Sequence, residues 1–214
     1  MYAGTGQGGV SRRFLISLVA GFVAAVAVAA VLLVRHADTG VDIVPLTAAE
    51  REGLVRRDTL EGPVLEHPTV GFQIDGPGTN YFVSAETIRG IRKANDDPST
   101  RFYAYAELKS GNLLVISLSK RPSLSGGGFA DMVHNVWKEF VQKTAVRLGE
   151  YIPVRTVQDQ VDAGARTAAL HAVLGGNAQL RLRAVAKGPY VIMAIGVGMS
   201  NDKLAPVVAS LRAK

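Results

Sequence analysis

Cysteine is absent from the 214 residues of the sequence. The chain therefore forms no disulfide bond and offers no cysteine pair as metal ligands. Since no covalent cross-link is available, the folded part of the chain must depend on a packed apolar core for its stability.

Motifs that mark active sites are missing as well. The sequence has no HxH or HExxH pair, no GxSxG elbow and no Walker loop. A match to GxGxxG in residues 4–9 precedes an apolar run rather than a βαβ unit, so it is interpreted as a flexible tail. We predict no catalytic residue, no cofactor and no metal site. The histidines are widely scattered, at His36, His67, His134 and His171.

One long apolar run is present, at residues 14–34, and it contains no charged residue. At a helical rise of about 1.5 Å per residue, such a run spans a hydrocarbon core of about 30 Å. It is longer than the apolar region of a signal peptide, although cleavage after small residues such as Ala27 or Ala29 stays an alternative. The residues that define this predicted membrane anchor are Arg12, Arg13, Phe14, Gly21, Val34 and Arg35.

The charges beside the anchor predict its orientation. The preceding tail carries Arg12 and Arg13 and no acid, whereas the following flank mixes Arg35 with Asp38 and Asp42. The positive-inside rule then places the N-terminus in the cytoplasm. We predict a single-pass protein of a bacterial inner (cytoplasmic) membrane, with its C-terminal domain in the periplasm.

The chain is predicted to divide into a cytoplasmic tail at 1–13, the transmembrane helix at 14–34, a linker at 35–64 and an extracytoplasmic α/β domain at 65–214. Within the linker, Thr47 and Glu50 have the spacing of a capping box, which predicts a short helix in residues 45–60. The three glycines at 126–128 are interpreted as a loop, because no phosphate-binding pattern follows them and Asp131 would repel an anion.

Hydrophobic periodicity predicts an α+β fold for the domain. Apolar residues follow a period of 3.6 over 129–148 and a period of two over 179–186. We therefore expect an antiparallel sheet covered by a long amphipathic helix and by a C-terminal helix, an α/β/α sandwich. Strands are predicted at 70–75, 101–108, 113–119, 151–157, 166–174, 179–186 and 190–197, with a further one at 81–85, a loop at 89–100 and a final helix at 201–213.

Positive charge is concentrated in the last third of the chain, within a formal net charge of +6. Arg181, Arg183 and Lys187 fall mostly on one face of the predicted strand at 179–186. They form a possible interaction patch for an acidic protein surface or anionic lipid, and a solvated basic face is the alternative. Nucleic acid is not expected as a partner, because the domain is predicted to lie outside the cytoplasm.

The order of elements resembles the PsbP/Mog1/DcrB-like group of small α/β/α sandwich domains over residues 65–214. The resemblance is carried by an opening segment with a GF pair and nearby prolines, a strand pair ending in LVISLSKRP, a long helix, a run of strands and a closing ASLR. The residues quoted for it are His67, Pro68, Val70, Gly71, Phe72, Pro77, Ser210, Leu211 and Arg212.

The resemblance implies a role without catalysis. Members of that group are mostly accessory or assembly factors of membrane complexes, photosystems among them, and cell-envelope lipoproteins. A lipid-anchored member would carry a lipobox cysteine, which the predicted membrane helix would replace here.

We expect a non-catalytic, membrane-anchored accessory subunit or assembly factor of a larger bioenergetic or cell-envelope membrane complex, in contact with the lipid bilayer. The alternative is a tethered periplasmic module that binds a small ligand or lipid in a pocket near Trp137 and Phe140. An enzyme would need His134 or His171 beside an acid in one cleft.

Overall fold

The structure is a computed structural model that describes residues 43–77, 89–90, 92–93, 95–107, 112–148, 153–175, 178–198 and 204–214. The predicted tail, the predicted anchor at 14–34 and the predicted strand at 81–85 lie outside these residues. Among the described residues, no helix is long and apolar enough to cross a membrane. The anchor therefore stays a prediction.

The described residues form two antiparallel sheets, one of four strands and one of six, together with helices. A short 3-10 helix at Ala49–Arg51 comes first. The elements that follow are β1 (Val55–Thr59), β2 (Gly62–His67), β3 (Phe72–Asp75), β4 (Thr100–Glu107), β5 (Asn112–Lys120), α1 (Gly126–Leu148), β6 (Val154–Asp162), β7 (Thr167–Leu174), β8 (Ala178–Lys187), β9 (Tyr190–Gly198), α2 (Leu204–Ala209) and β10 (Arg212–Ala213).

The larger sheet has the strand order β4-β5-β9-β8-β7-β6. Successive residues of its central strands alternate between two core clusters, one on each face, as the period of a strand requires. On β5, Leu113 and Val115 enter one cluster, and Leu114 and Ile116 enter the other. The alternation predicted for residues 179–186 is confirmed, since Leu180, Leu182 and Ala184 all face the first cluster.

Helix α1 covers the first face of this sheet. Its buried stripe consists of Phe129, Met132, Val133, Val136, Trp137 and Phe140. The predicted helix is confirmed, and it begins earlier than expected, because Gly126, Gly127 and Gly128 form its first turn. The Ser125 hydroxyl accepts a hydrogen bond from the Gly128 N–H at 3.0 Å, which satisfies one of the N–H groups that the first turn leaves unpaired.

The second face is covered by the smaller sheet, of strand order β1-β2-β3-β10, and by α2. The expectation of one sheet is therefore corrected to two. The short helix predicted in residues 45–60 is reduced to the 3-10 helix, and the residues after it form β1. This strand pairs with β2 across a tight turn that ends at Gly62, whose φ of +128° suits glycine. Pairing with β2 thus outweighs the local helical signal.

The predicted helix at 201–213 is also shorter in the structure. Among its described residues, α2 ends at Ala209, and Ser210 turns the chain by donating to the Val207 carbonyl at 2.7 Å. The Ser210 hydroxyl also accepts from the Asp75 N–H at 2.7 Å, which ties the turn to β3. Arg212 and Ala213 then pair with β3. The loop predicted at 89–100 contains helical residues at 89–90, 92–93 and 95.

Candidate interaction surface

Three strands at one edge of the larger sheet have part of their second face outside the cover that the smaller sheet and α2 form among the described residues. In one row across this face, Gln158 of β6 lies beside His171 of β7, and His171 lies beside Arg181 of β8. The next row across is Gln160, Ala169 and Arg183. We call these six residues the open face; His171, at the centre of its first row, is itself only 9% exposed.

Helix α2 borders the open face and forms a groove with it, of about 210 Å³. The wall on the α2 side is apolar and consists of Ala205, Val208 and Ala209. The opposite wall carries the amides of Gln158 and Gln160, and Ala169, Arg181 and Arg183 lie between the two walls.

Gly196 allows α2 to lie this close to the sheet. A Cβ atom at Gly196 of β9 would come within 2.7 Å of Val208 Cγ2, which is closer than packed carbon atoms tolerate. The next residue inward on the same face is also small, since Ala194 pairs with Arg183 across the sheet. Small residues of β9 therefore set the position of the apolar wall.

The three residues predicted as an interaction patch are divided by the fold. Arg181 and Arg183 are half-buried and line the groove, and Arg181 Nη2 donates to Gln179 Oε1 at 2.9 Å. Lys187 lies at the far end of β8, where its ammonium donates to the Gly71 carbonyl at 3.1 Å. Lys187 thus ties the smaller sheet to the larger one, away from the groove.

A second groove, of about 380 Å³, lies nearer the β6–β7 turn. Its lining includes Asp159, Asp162 and Thr167, and Arg183 borders both grooves. Asp162 accepts a hydrogen bond from the Ala165 N–H at 2.8 Å within the turn. The two grooves therefore differ in charge: carboxylates line the second and not the first.

Elsewhere, Glu50 is the centre of a buried polar cluster. Glu50 is 5% exposed, and its carboxylate accepts hydrogen bonds from Lys120 Nζ at 2.8 Å and from the Tyr190 hydroxyl. The capping-box geometry is present too, because the Thr47 N–H donates to Glu50 Oε2 at 2.7 Å. These bonds fasten the segment before β1 to β5 and β9.

The cluster shifts the pKa values of its titratable groups. Burial raises the pKa of Glu50, but the hydrogen bonds from Lys120, Tyr190 and Thr47 outweigh it and lower the pKa to about 2. The hydrogen bond to Glu50 and burial together raise the pKa of Tyr190 to about 12. Burial lowers the pKa of His67, whose Nε2 lies 3.1 Å from the Glu50 carbonyl.

We expect the free energy of unfolding to fall on acidification in two windows. Below about pH 6.5 the unfolded chain takes up a proton at His67 more readily than the folded chain does. From pH 4.5 down to about 2 the unfolded chain protonates Glu50 first. Urea unfolding followed by the fluorescence of Trp137, the single tryptophan, measures both windows. The lower one should flatten in Glu50→Gln, and an unchanged profile in that variant would contradict the assignment.

Of the two histidines that an enzyme would need beside an acid, His134 has one: its Nε2 lies 3.2 Å from Asp159 Oδ1. Both side chains are about half exposed, at 48% and 52%, so solvent screens the pair. His171 lies on the other face of the sheet. Among the described residues no group of three or more metal-ligating side chains occurs.

Comparison with protein-family models and with curated proteins returns no match. Among solved structures, the chain is similar to the solution structure of cyanobacterial PsbP (CyanoP) from Synechocystis sp. PCC 6803. The similarity covers 76% of this chain and 93% of that chain, with a TM-score of 0.43 and 10% sequence identity. At this TM-score and identity, nothing about the function of this chain follows from the similarity.

The sequence reasoning found the two arginines of the groove but missed the rest of its lining. Gln158 and Gln160 lie just beyond the strand predicted at 151–157, because β6 continues to Asp162, and their alternation along β6 was a signal that they share a face. The wall from α2 had no comparable signal, because it depends on the contact between Val208 and Gly196.

Proposed function

We propose that this chain is a non-catalytic accessory subunit or assembly factor of a larger membrane protein complex, and that the open face is its docking surface. The observation that carries the proposal is the uncovered part of β6, β7 and β8, where half-buried arginines lie beside an apolar wall. Arginine together with apolar residues is typical of the surfaces by which proteins associate.

The remainder of the larger sheet supports this reading. Helix α1 packs on the first face, and the smaller sheet and α2 cover β4, β5 and β9 on the second. Both sides of a sheet are usually shielded in a small domain, so the open face is the position where another protein would complete the layer.

The proposed location follows from the sequence. Residues 14–34 anchor the chain in a bacterial inner membrane with its N-terminus in the cytoplasm, and the described residues lie in the periplasm. An anchored domain is confined to the plane of its membrane partners, which raises their effective concentration around the open face.

The test is isolation of the tagged full-length chain from membranes in mild detergent at native expression. We expect stoichiometric integral membrane partners with the wild type, and their loss with Ala169→Tyr, which fills the groove. Thr156→Tyr is the matched control, because Thr156 is exposed on the same sheet and faces the other side.

Recovery of the wild type without partners would contradict an accessory role. Recovery of the same partners with both tyrosine variants would show that the open face is not the docking surface. An unrelated transmembrane helix in place of residues 14–34 tests the anchor: retained partners would identify it as a tether only.

A ligand-binding module remains the second reading of the sequence, with its pocket near Trp137 and Phe140. These two rings pack at a centroid distance of 6.0 Å inside the first core cluster. Neither of the two grooves described above includes them.

A further inference from the structure

We propose that the groove beside α2 binds a carboxylate from an acidic, extended segment of a partner protein, held by Arg183 with Arg181 beside it. The inference rests on the proposed docking of the open face, because it specifies the chemistry of the partner that docks there.

Arg183 is the residue that requires an acceptor. Its Nε atom is buried, and no hydrogen-bond partner for it occurs among the described residues. A guanidinium carries five N–H donors and no acceptor, and a buried donor without a partner costs free energy. Arg183 as a whole is only partly buried, and a carboxylate accepts from two N–H groups of a guanidinium at once through a bidentate pair, which is the strongest ordinary arrangement for arginine.

The charges around the groove favour an anion. Its lining contains Arg181 and Arg183 and no carboxylate. The acids of β6 line the second groove, which Arg183 also borders: there Asp159 pairs with His134, and Asp162 accepts from the β6–β7 turn. Among the described residues of this lining, an incoming carboxylate therefore meets the guanidinium group of Arg183, with that of Arg181 beside it, and no carboxylate, which is the complementarity expected of a specific contact.

The rest of the lining distinguishes a peptide from a bare anion. Gln158 Nε2 donates to Gln160 Oε1 at 2.9 Å, and the two amides still have N–H groups to donate and carbonyl lone pairs to accept, as the backbone of an extended peptide requires. The opposite wall, from Ala205 to Ala209, is apolar and suits the side chain next to an acidic residue. A phosphate ion would leave both the amide acceptors and the apolar wall unused.

The experiment measures the anisotropy of a fluorescein-labelled decapeptide of alternating glutamate and alanine with the full-length chain in zwitterionic detergent at low salt. We expect Arg183→Gln to weaken binding about tenfold, and Arg183→Lys, which keeps the charge but loses the fork, to weaken it several-fold. Lys138→Gln is the matched control: it removes one positive charge from an exposed position on α1, across the sheet. It should stay within about twofold of the wild type.

Further arms use the same peptide with glutamine in place of glutamate, inorganic phosphate, and phosphatidylglycerol vesicles as competitors. The glutamine peptide should bind at least about tenfold more weakly, and neither phosphate nor vesicles should compete strongly. Equal losses in Arg183→Gln and Lys138→Gln would overturn the proposal by showing attraction to net charge only. Arg183-dependent binding to vesicles in preference to the peptide would overturn it in favour of lipid.

Loss of binding must be distinguished from loss of folding, and the carboxylate contact from the accessory role. Unchanged Trp137 emission shows that a variant is folded. If Arg183→Gln does not fold, the binding of Arg183→Lys decides the outcome. If native partners stay with Arg183→Gln at wild-type yield, the carboxylate contact is wrong while the accessory role stands. If the wild type has no partners but binds the peptide through Arg183, the accessory role fails while the groove chemistry stands.

Discussion

Replacement of Glu50 by glutamine should lower the free energy of unfolding by about 3 kcal/mol near neutral pH, because the pKa of Glu50 falls from 4.5 to about 2 on folding. The neutral amide removes the ion pair with Lys120, whose side chain is 21% exposed and would lose its counter-charge. Loss of one partner from such a pair is costly, because the remaining charge stays desolvated.

The measurement is urea unfolding at neutral pH, followed by Trp137 fluorescence. Glu52→Gln is the matched control, since Glu52 is an exposed carboxylate close to Glu50 in the chain. We expect the control to change the free energy of unfolding by less than about 0.5 kcal/mol. Similar midpoints for the two variants would mean that the Glu50 cluster contributes nothing beyond an ordinary surface charge.

The result also bears on how the N-terminal part of the described chain is held. Leu46 enters the second core cluster, and the His67 ring lies against the Glu50 carbonyl. The described segment before β1 is therefore bound to β5 and β9 through Glu50.

Elements with a strong period could be predicted from the sequence. Helix α1 has its large apolar side chains on one stripe, and β8 alternates leucine and alanine with arginine and glutamine. In both cases burial of one face imposes the period on the residues, so the pattern can be read without knowledge of the partner element.

Elements that depend on distant pairing could not be predicted. Strand β1 consists of exposed residues with no alternation, and β10 is set by its pairing with β3, far away in the chain. The same limit applied to Glu50: its capping box with Thr47 is local, whereas Lys120 and Tyr190 reach it only in the folded chain.

The candidate site shows both cases. Arg181 and Arg183 could be found because they share a strand face, and sequence spacing shows that directly. Lys187 faces the same side of β8 by sequence spacing, but its carbonyl partner Gly71 directly precedes β3, and the separate smaller sheet that contains β3 was not predicted. The groove itself requires α2 to lie over Gly196, a tertiary contact without a sequence signature.

Alanine at Gly126 and alanine at Gly127 should have opposite effects, although the two glycines are neighbours in the first turn of α1. A Cβ at Gly126 would lie 2.2 Å from the Ala163 carbonyl oxygen, which is a backbone atom in the β6–β7 turn. Relief of this overlap must move α1 or the turn, and we expect a loss of about 2–4 kcal/mol in the free energy of unfolding.

A Cβ at Gly127 would have only the Ser125 hydroxyl oxygen near it, at 4.0 Å. Gly127→Ala should therefore raise the free energy of unfolding by about 0.5–1 kcal/mol, because alanine restricts the unfolded chain and favours the helix. Urea unfolding monitored at Trp137 compares the two variants under one condition. If both substitutions stabilise, α1 does not press against the β6–β7 turn, and the position of the helix over β6 and β7 is wrong. If Gly126→Ala alone destabilises, that contact fixes the helix at its N-terminal end, directly beside the edge strands that carry the open face.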